Sequence, residues 1–276
     1  MNADSYRFDG KRALVVGGAT GMGAATAELV ADAGAEVIAM DRAEVTAPGV
    51  TAIRVDLADK ASIEAAVAEC GGPLHAVFSC AGVADGTPGL ERINFIGHRH
   101  LIDRLLAEGM LPRGSAIGLI SSAAGMGWDT KDTLPELLQF LAIDDFDAAT
   151  AWVHDRGKAD YRFSKQAVNA YVAHEAFRLL QHGVRINAIL PGPTDTPLAQ
   201  ANAELWLGFG ADFRGELGIQ AATAMEQAYP LVFLCSDAAT AISGVTLVTD
   251  AGYFSAGITG SYPAASGIVN WLSGRD

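Results

Sequence analysis

Tyr161-Arg162-Phe163-Ser164-Lys165 sets a phenol and an ammonium four residues apart. On a helix these positions share one face, so Lys165 can lower the phenol's pKa from its usual ~10 and let Tyr161 exchange a proton near neutrality. Taken alone, such a pair is more often simply solvated. A second constellation is Val16-Gly17-Gly18-Ala19-Thr20-Gly21-Met22-Gly23. Glycines at 17, 21 and 23 permit a tight turn and let a pyrophosphate approach the N–H groups of a helix start. No Gly-Lys-Ser/Thr follows, which excludes a P-loop. Asp41 lies 24 residues after Gly17. That is close to the ~20-residue offset at which an acidic side chain receives adenine-ribose hydroxyls and repels a 2′-phosphate. A cap or turn is the plainer role for Asp41, and Arg42 beside it leaves a small opening for NADP.

These groups need a scaffold, and the hydrophobic pattern supplies one. Apolar runs at 13–16, 36–40, 51–55, 76–80, 116–121, 185–190 and 245–248 read as strands. Most are continuous rather than alternating, as in parallel strands covered on both faces. Segments 23–33, 60–70, 91–108, 160–181 and 222–236 carry apolar residues at helical spacing. Strand and helix alternate with no linker between them, so the expected fold is α/β, one doubly wound domain with a parallel sheet over residues 1–276.

Composition narrows the function. Nineteen basic residues against 32 acidic give a net charge of −13, which disfavours nucleic acid and anionic membrane surfaces as partners. Cys70, Cys80 and Cys235 form no C-x-x-C pair, and His98 and His100 point apart on a helix, so neither a disulfide framework nor a metal site is expected. Residues 1–12 carry five charges and no apolar core of a signal peptide. The stretch 251–274 is uncharged but broken by five glycines, Pro263 and Asn270, and reads as an ordered tail rather than a span. A cytoplasmic protein is expected.

Taken together, Gly-x-x-x-Gly-x-Gly at 17–23, Tyr-x-x-x-Lys at 161–165 and Pro191-Gly192 after the sixth strand resemble, in type and order, the short-chain dehydrogenase/reductase family. The resemblance covers nearly the whole chain. It implies Tyr161 as general acid/base and Ser122, not Ser121, as the group that holds the substrate oxygen. It further implies Lys165 on the nicotinamide ribose and Asn94 supporting a proton-relaying water. Without their partners, Ser122 would be a strand-end turn residue and Asn94 a polar helix residue bonded to its own backbone. The same resemblance assigns cofactor contacts to Gly17, Thr20, Gly21, Met22, Gly23, Asp41, Asp56, Leu57, Cys80, Ala81, Gly82, Tyr161, Lys165, Pro191, Gly192, and Thr194 or Thr196. NAD is the expected cofactor.

There are departures from the family pattern. Asn-Asn-Ala-Gly is here Ser79-Cys80-Ala81-Gly82, and Asp-Gly-Gly is Asp250-Ala251-Gly252. Cys80, with no histidine partner apparent, reads as a packed residue. Ser122 and Tyr161 are 39 residues apart, more than twice what most of the family shows, so residues 126–157 read as a helical insert. The insert resembles that of a subgroup including bacterial 3α-hydroxysteroid dehydrogenase/carbonyl reductase and coniferyl-alcohol dehydrogenase. After Pro191, the residues Leu198, Leu205, Trp206, Leu207, Phe209 and Phe213 read either as a mobile cover over an apolar substrate or as a plain helix on the core. Trp206, with Ser122 and Tyr161, is the expected substrate contact.

The expected activity is interconversion of an alcohol and a ketone on a small apolar cyclic substrate. An aromatic primary-alcohol dehydrogenase and a dinucleotide-binding regulatory protein are the alternatives. A homodimer or homotetramer is expected, joined through the last strand and the tail from Ala251, with the insert bordering the substrate entrance instead. Otherwise the tail folds back on its own core.

Overall fold

Strand β1 (Arg12–Val16) is buried along its apolar length, and its neighbours on both sides are parallel to it. The computed structural model describes residues 3–275; Met1, Asn2 and Asp276, which belong to the expected domain, lie outside the described residues. The other principal strands are β2 (Glu36–Asp41), β3 (Thr51–Arg54), β4 (Ala76–Ser79), β5 (Ala116–Ile120) and β6 (Arg185–Pro191). Short strands β7 (Thr194–Asp195) and β8 (Ala222–Thr223) pair with each other, and β9 (Thr246–Thr249) closes the main sheet. The sheet runs β3-β2-β1-β4-β5-β6-β9, parallel throughout.

Register positions the site. Val16 lies opposite both Met40 and Ser79, so Gly17, Asp41 and Cys80 leave neighbouring strands at one edge. Between β1 and β4 the strand order reverses, opening a crevice at the carboxyl ends of the strands.

Helices α1 (Gly21–Asp32), α2 (Lys60–Cys70), α3 (Gly97–Ala107), α4 (Leu134–Leu141), α5 (Phe146–Asp155) and α6 (Tyr161–Gln181) follow the expected segments. Then come the short α7 (Pro197–Gln200), α8 (Ala203–Trp206) and α9 (Ala211–Leu217), followed by α10 (Ala224–Cys235), α11 (Tyr253–Thr259) and α12 (Pro263–Ser273). Alternate residues of β1 feed two cores. Leu14 and Val16 join Ile63, Leu101 and Val168 on one face, while Ala13 and Val15 join Ala27, Val30 and Leu231 on the other. Burying such side chains stabilises the fold by ~1.5–3 kcal/mol each before chain entropy is counted.

Two features differ from the sequence expectation. Segment 91–108 is not one helix, because a π turn at Arg92–Ile96 precedes α3. Strands β7 and β8 are too short to show a period. The tail is committed to its own subunit: Tyr253, Phe254, Val269 and Leu272 are buried with Ala123 and Phe213. Trp271, half exposed, lies under the Arg162 guanidinium at 4.3 Å. The tail thus folds back on its own core, while Leu247, Ile268 and Trp271 keep exposed apolar surface. The insert forms α4 and α5, whose Leu137, Phe140, Phe146 and Val153 pack with Phe95, Phe163 and Tyr171. Its helices therefore sit over α6 and the π turn, while its first residue, Met126, reaches the cluster under the cleft. No helix among the described residues is long and apolar enough to cross a membrane.

Candidate active site

Helix α6 begins at Tyr161, with the Asp160 carboxylate capping it by accepting the Phe163 N–H at 2.8 Å. The Asp85 carboxylate accepts the Tyr161 N–H at 2.6 Å. One turn on, Lys165 is buried. Its Nζ donates to the Ile120 carbonyl at 3.0 Å and lies 5.5 Å from the Tyr161 ring centre. The two serines after β5 separate cleanly: Ser121 is buried and donates to the Lys165 carbonyl, while Ser122 accepts the Ala124 N–H and sits close enough to the Tyr161 phenol to oppose the rise in its pKa.

Asn94 sits in the π turn, a distortion frequent at functional sites. Its side chain accepts the Val83 N–H at 2.8 Å and donates to the Val83 carbonyl and to Ser164 Oγ. A Cβ on Gly82 would lie 3.5 Å from Asn94 Oδ1 and 3.6 Å from Lys165 Nζ, so the three groups share one small space.

Electrostatics correct one expectation. Burial pushes the Tyr161 phenol up to about 12; hydrogen bonding with Ser122 opposes this and the Asp85 charge adds to it. Burial also lowers the Lys165 ammonium to about 8. The anticipated lowering of the phenol by Lys165 is absent because the ammonium is itself desolvated and bonded to Ile120. In this state Tyr161 is a neutral proton donor throughout the physiological range.

The glycine turn admits only glycine where it matters. At Gly17, with φ +88°, an added Cβ would come within 2.5 Å of the Ala81 backbone, and at Gly23 it would lie 1.9 Å from the Gly17 carbonyl oxygen. A Cβ on Gly21 would lie 3.5 Å from Thr196. Thr20 starts α1 without spending its side chain on the cap, and Met22 accepts the Thr26 hydroxyl through its carbonyl. These features fit a pyrophosphate at the start of α1.

Asp41 accepts the Ala19 and Ala43 N–H groups, one on each oxygen, which fixes it against the turn with lone pairs left for ribose hydroxyls. Asp56 accepts the Ala58 N–H and Leu57 is buried behind it. The Cys80 thiol, raised to about 12 by burial, is unsuited to nucleophilic work. The Thr194 hydroxyl donates to the Gly192 carbonyl, while Thr196 Oγ caps α7 by accepting the Ala199 N–H and keeps its own hydrogen to donate.

Residues 193–221 form the cover. Trp206 lies against Tyr161, ring centres 5.0 Å apart, and Leu205 is 73% exposed. Phe209 and Phe213 instead pack on Tyr253 at 5.1 and 5.4 Å. The Arg214 guanidinium donates to the Phe209 carbonyl at 2.7 Å and to that of Leu207, joining the two halves. The segment is thus anchored at one end and lies over the phenol at the other.

Sequence reasoning did not find Asp85, His98 or Asn169. Buried His98 hydrogen-bonds the Ala81 carbonyl at 3.0 Å, and burial lowers its pKa to about 4. Asn169 donates to the Gly125 carbonyl at 2.9 Å and holds the turn after Ser122. His98 follows Asn94 by one helical turn, which the sequence does show, but Asp85 and Tyr161 are 76 positions apart and nothing local links them. Among the described residues no cluster of His, Cys, Asp and Glu is arranged to hold a metal.

The chain matches the short chain dehydrogenase family over residues 11–130 and the Enoyl-(Acyl carrier protein) reductase family over residues 145–254. It is 30% identical to the cis-4-hydroxycyclohexanecarboxylate dehydrogenase of Sinomonas cyclohexanicum, across 89% of this chain and 97% of that one. It is 31% identical to the 3-alpha-hydroxysteroid dehydrogenase/carbonyl reductase of Comamonas testosteroni, across 87% and 95%. The fold is similar to the 3-alpha-hydroxysteroid dehydrogenase from Pseudomonas sp. B-0831 complexed with NADH. There the TM-score is 0.72 and the identity 28%, over 91% of this chain and 99% of that one.

Proposed function

Because this chain belongs to the short-chain dehydrogenase/reductase family of oxidoreductases, we propose that it uses NAD(H) to interconvert a secondary alcohol and a ketone on an apolar cyclic substrate. The observation that carries the reading is the tilted ring contact of Trp206 with Tyr161, centres 5.0 Å apart, beside Ser122. It sets an apolar ring, a proton donor and a second hydroxyl around one point at the end of β5. The names of the relatives, a hydroxycyclohexanecarboxylate and a hydroxysteroid dehydrogenase, support a ring-borne hydroxyl as the reacting group.

Ser122 and Tyr161 both donate toward the substrate oxygen, and Tyr161 gives its proton as the ketone is reduced. A nicotinamide dinucleotide, when bound, supplies or accepts the hydride. Gly17, Thr20, Gly21, Met22 and Gly23 would hold its pyrophosphate at the start of α1. Asp41 would take the adenine-ribose hydroxyls, which favours NAD over NADP, and Asp56 and Leu57 would border the adenine. Ala81 and Gly82 would line the crevice, Lys165 would bind the nicotinamide ribose, and Pro191, Gly192 and Thr196 would close over the nicotinamide end. Asn94 holds the Val83 loop and keeps Lys165 and Gly82 in register.

The test is loss of NADH absorbance, with NADPH in parallel, against cyclohexanone, a 3-ketosteroid and coniferaldehyde. Turnover of the cyclic ketones with NADH preferred is expected. Turnover of coniferaldehyde alone, or of no compound with either cofactor, would overturn the reading.

A further inference from the structure

The loop after β4 is pinned twice as it passes the cleft. Asn94 grips both backbone groups of Val83, and two residues later Asp85 grips the N–H of Tyr161. That second grip uses a charged group where a neutral acceptor would serve. Asp85 is exposed at the rim, with no ion-pair partner among the described residues, and Asp160 caps the same helix start beside it. The cations on the start of α6, on the segment before it and on the cover have their head groups held by other contacts. Lys158 pairs with Glu136 at 2.9 Å, Arg162 lies on Trp271 and donates to the Leu272 carbonyl, and Arg214 is held by two carbonyls of the cover. Lys165, the one positive charge within the site, is buried and bonded to Ile120. The rim therefore presents negative charge to an entering molecule, in a chain whose net charge is already −13.

We propose that Asp85 is a specificity-determining residue that turns this cleft toward uncharged cyclic substrates and against those bearing a carboxylate. The inference rests on the oxidoreductase reading of the same site. It separates this chain from the relative named for a hydroxycyclohexanecarboxylate, to which it is 30% identical. A carboxylate approaching within several ångströms of Asp85 meets a like charge at partial screening, enough for roughly a fivefold effect on affinity.

The probes are cyclohexanone and 4-oxocyclohexanecarboxylate, which differ by one carboxylate. Each is reduced with NADH at low and high salt, and the Kd of each is measured by calorimetry with NADH present. Wild type is expected to favour the neutral ketone in kcat/KM, with the ratio narrowing as salt rises. Asp85→Asn keeps an acceptor for the Tyr161 N–H and removes the charge, so it should lower that ratio about fivefold, mainly through KM of the anion, and flatten its salt dependence. Asp85→Glu should restore the ratio. A wild type that prefers the anion, or an Asp85→Asn ratio within 1.5-fold of wild type, would overturn the proposal. Failure of both ketones to turn over would count against the oxidoreductase reading, while a Kd ratio that shifts with Asp85→Asn would still support the role of Asp85.

Discussion

The crevice at the ends of β1, β2 and β4 and the cover over Tyr161 lie side by side, yet they are built by opposite means. In the crevice, backbone meets backbone: Gly17 against Ala81, Gly23 against Gly17, Asp41 on the Ala19 N–H. Side chains there are constrained by what cannot fit. In the cover, position depends on a few ring contacts and on one guanidinium, Arg214, and Leu205 projects into solvent. On the proposed reading, a dinucleotide would meet fixed backbone geometry, whereas a substrate would meet side chains on short helices.

The comparison can be broken first at Gly23. Gly23→Ala puts a methyl where the Gly17 carbonyl lies, and overpacking of this kind costs about 3 kcal/mol. Calorimetry should show Tm lower by about 10 °C, with NADH binding lost. A variant that melts like wild type would show that the turn is looser than described.

His98 links the crevice to pH. Its folded pKa of about 4 lies below the 6.5 of an unfolded histidine, so between these values the unfolded chain binds more protons. Stability should therefore fall as pH drops from 6.5 through 4, by roughly 3 kcal/mol from this group, and urea titrations of His98→Gln should show a shallower fall. Identical pH profiles would remove His98 from the account.

Asp41→Ala should narrow the NADH over NADPH preference in kcat/KM by about tenfold, since one carboxylate charge leaves the 2′ position. An unchanged preference would place the discrimination elsewhere. Trp206→Ala sharpens the contrast from the other side. KM for a cyclic ketone should rise by about tenfold through the lost ring contact, while Tm moves by about 1 °C or less because the ring is only half buried. A Tm loss as large as that of Gly23→Ala would make the cover a structural element rather than a substrate wall.

This contrast also decides what could be read from the sequence. Most strands of the main sheet are legible as continuous apolar runs because both faces are covered there, though the edge strand β3 is exposed at all but Ile53, and the glycine turn is legible because only glycine satisfies its geometry. The start of α6 is legible from the spacing of Tyr161 and Lys165. The π turn at Arg92–Ile96 is not, since one extra residue in a helical turn leaves the local pattern nearly unchanged. The destination of the tail is not either. Its aromatic residues announce burial, but the partner of Tyr253 is Phe213, on a different segment of the chain. The elevated Tyr161 pKa was equally hidden, because spacing reports the nearby ammonium and not the desolvation that outweighs it.

Delivery of the proton to a cyclic ketone by Tyr161 is isolated by the substitution Tyr161→Phe. The variant keeps the ring against Trp206 and removes only the hydroxyl. With saturating NADH and cyclohexanone, turnover should fall at least ~10²-fold while the Kd for NADH stays within about threefold of wild type. Near-normal turnover in that variant would contradict the account.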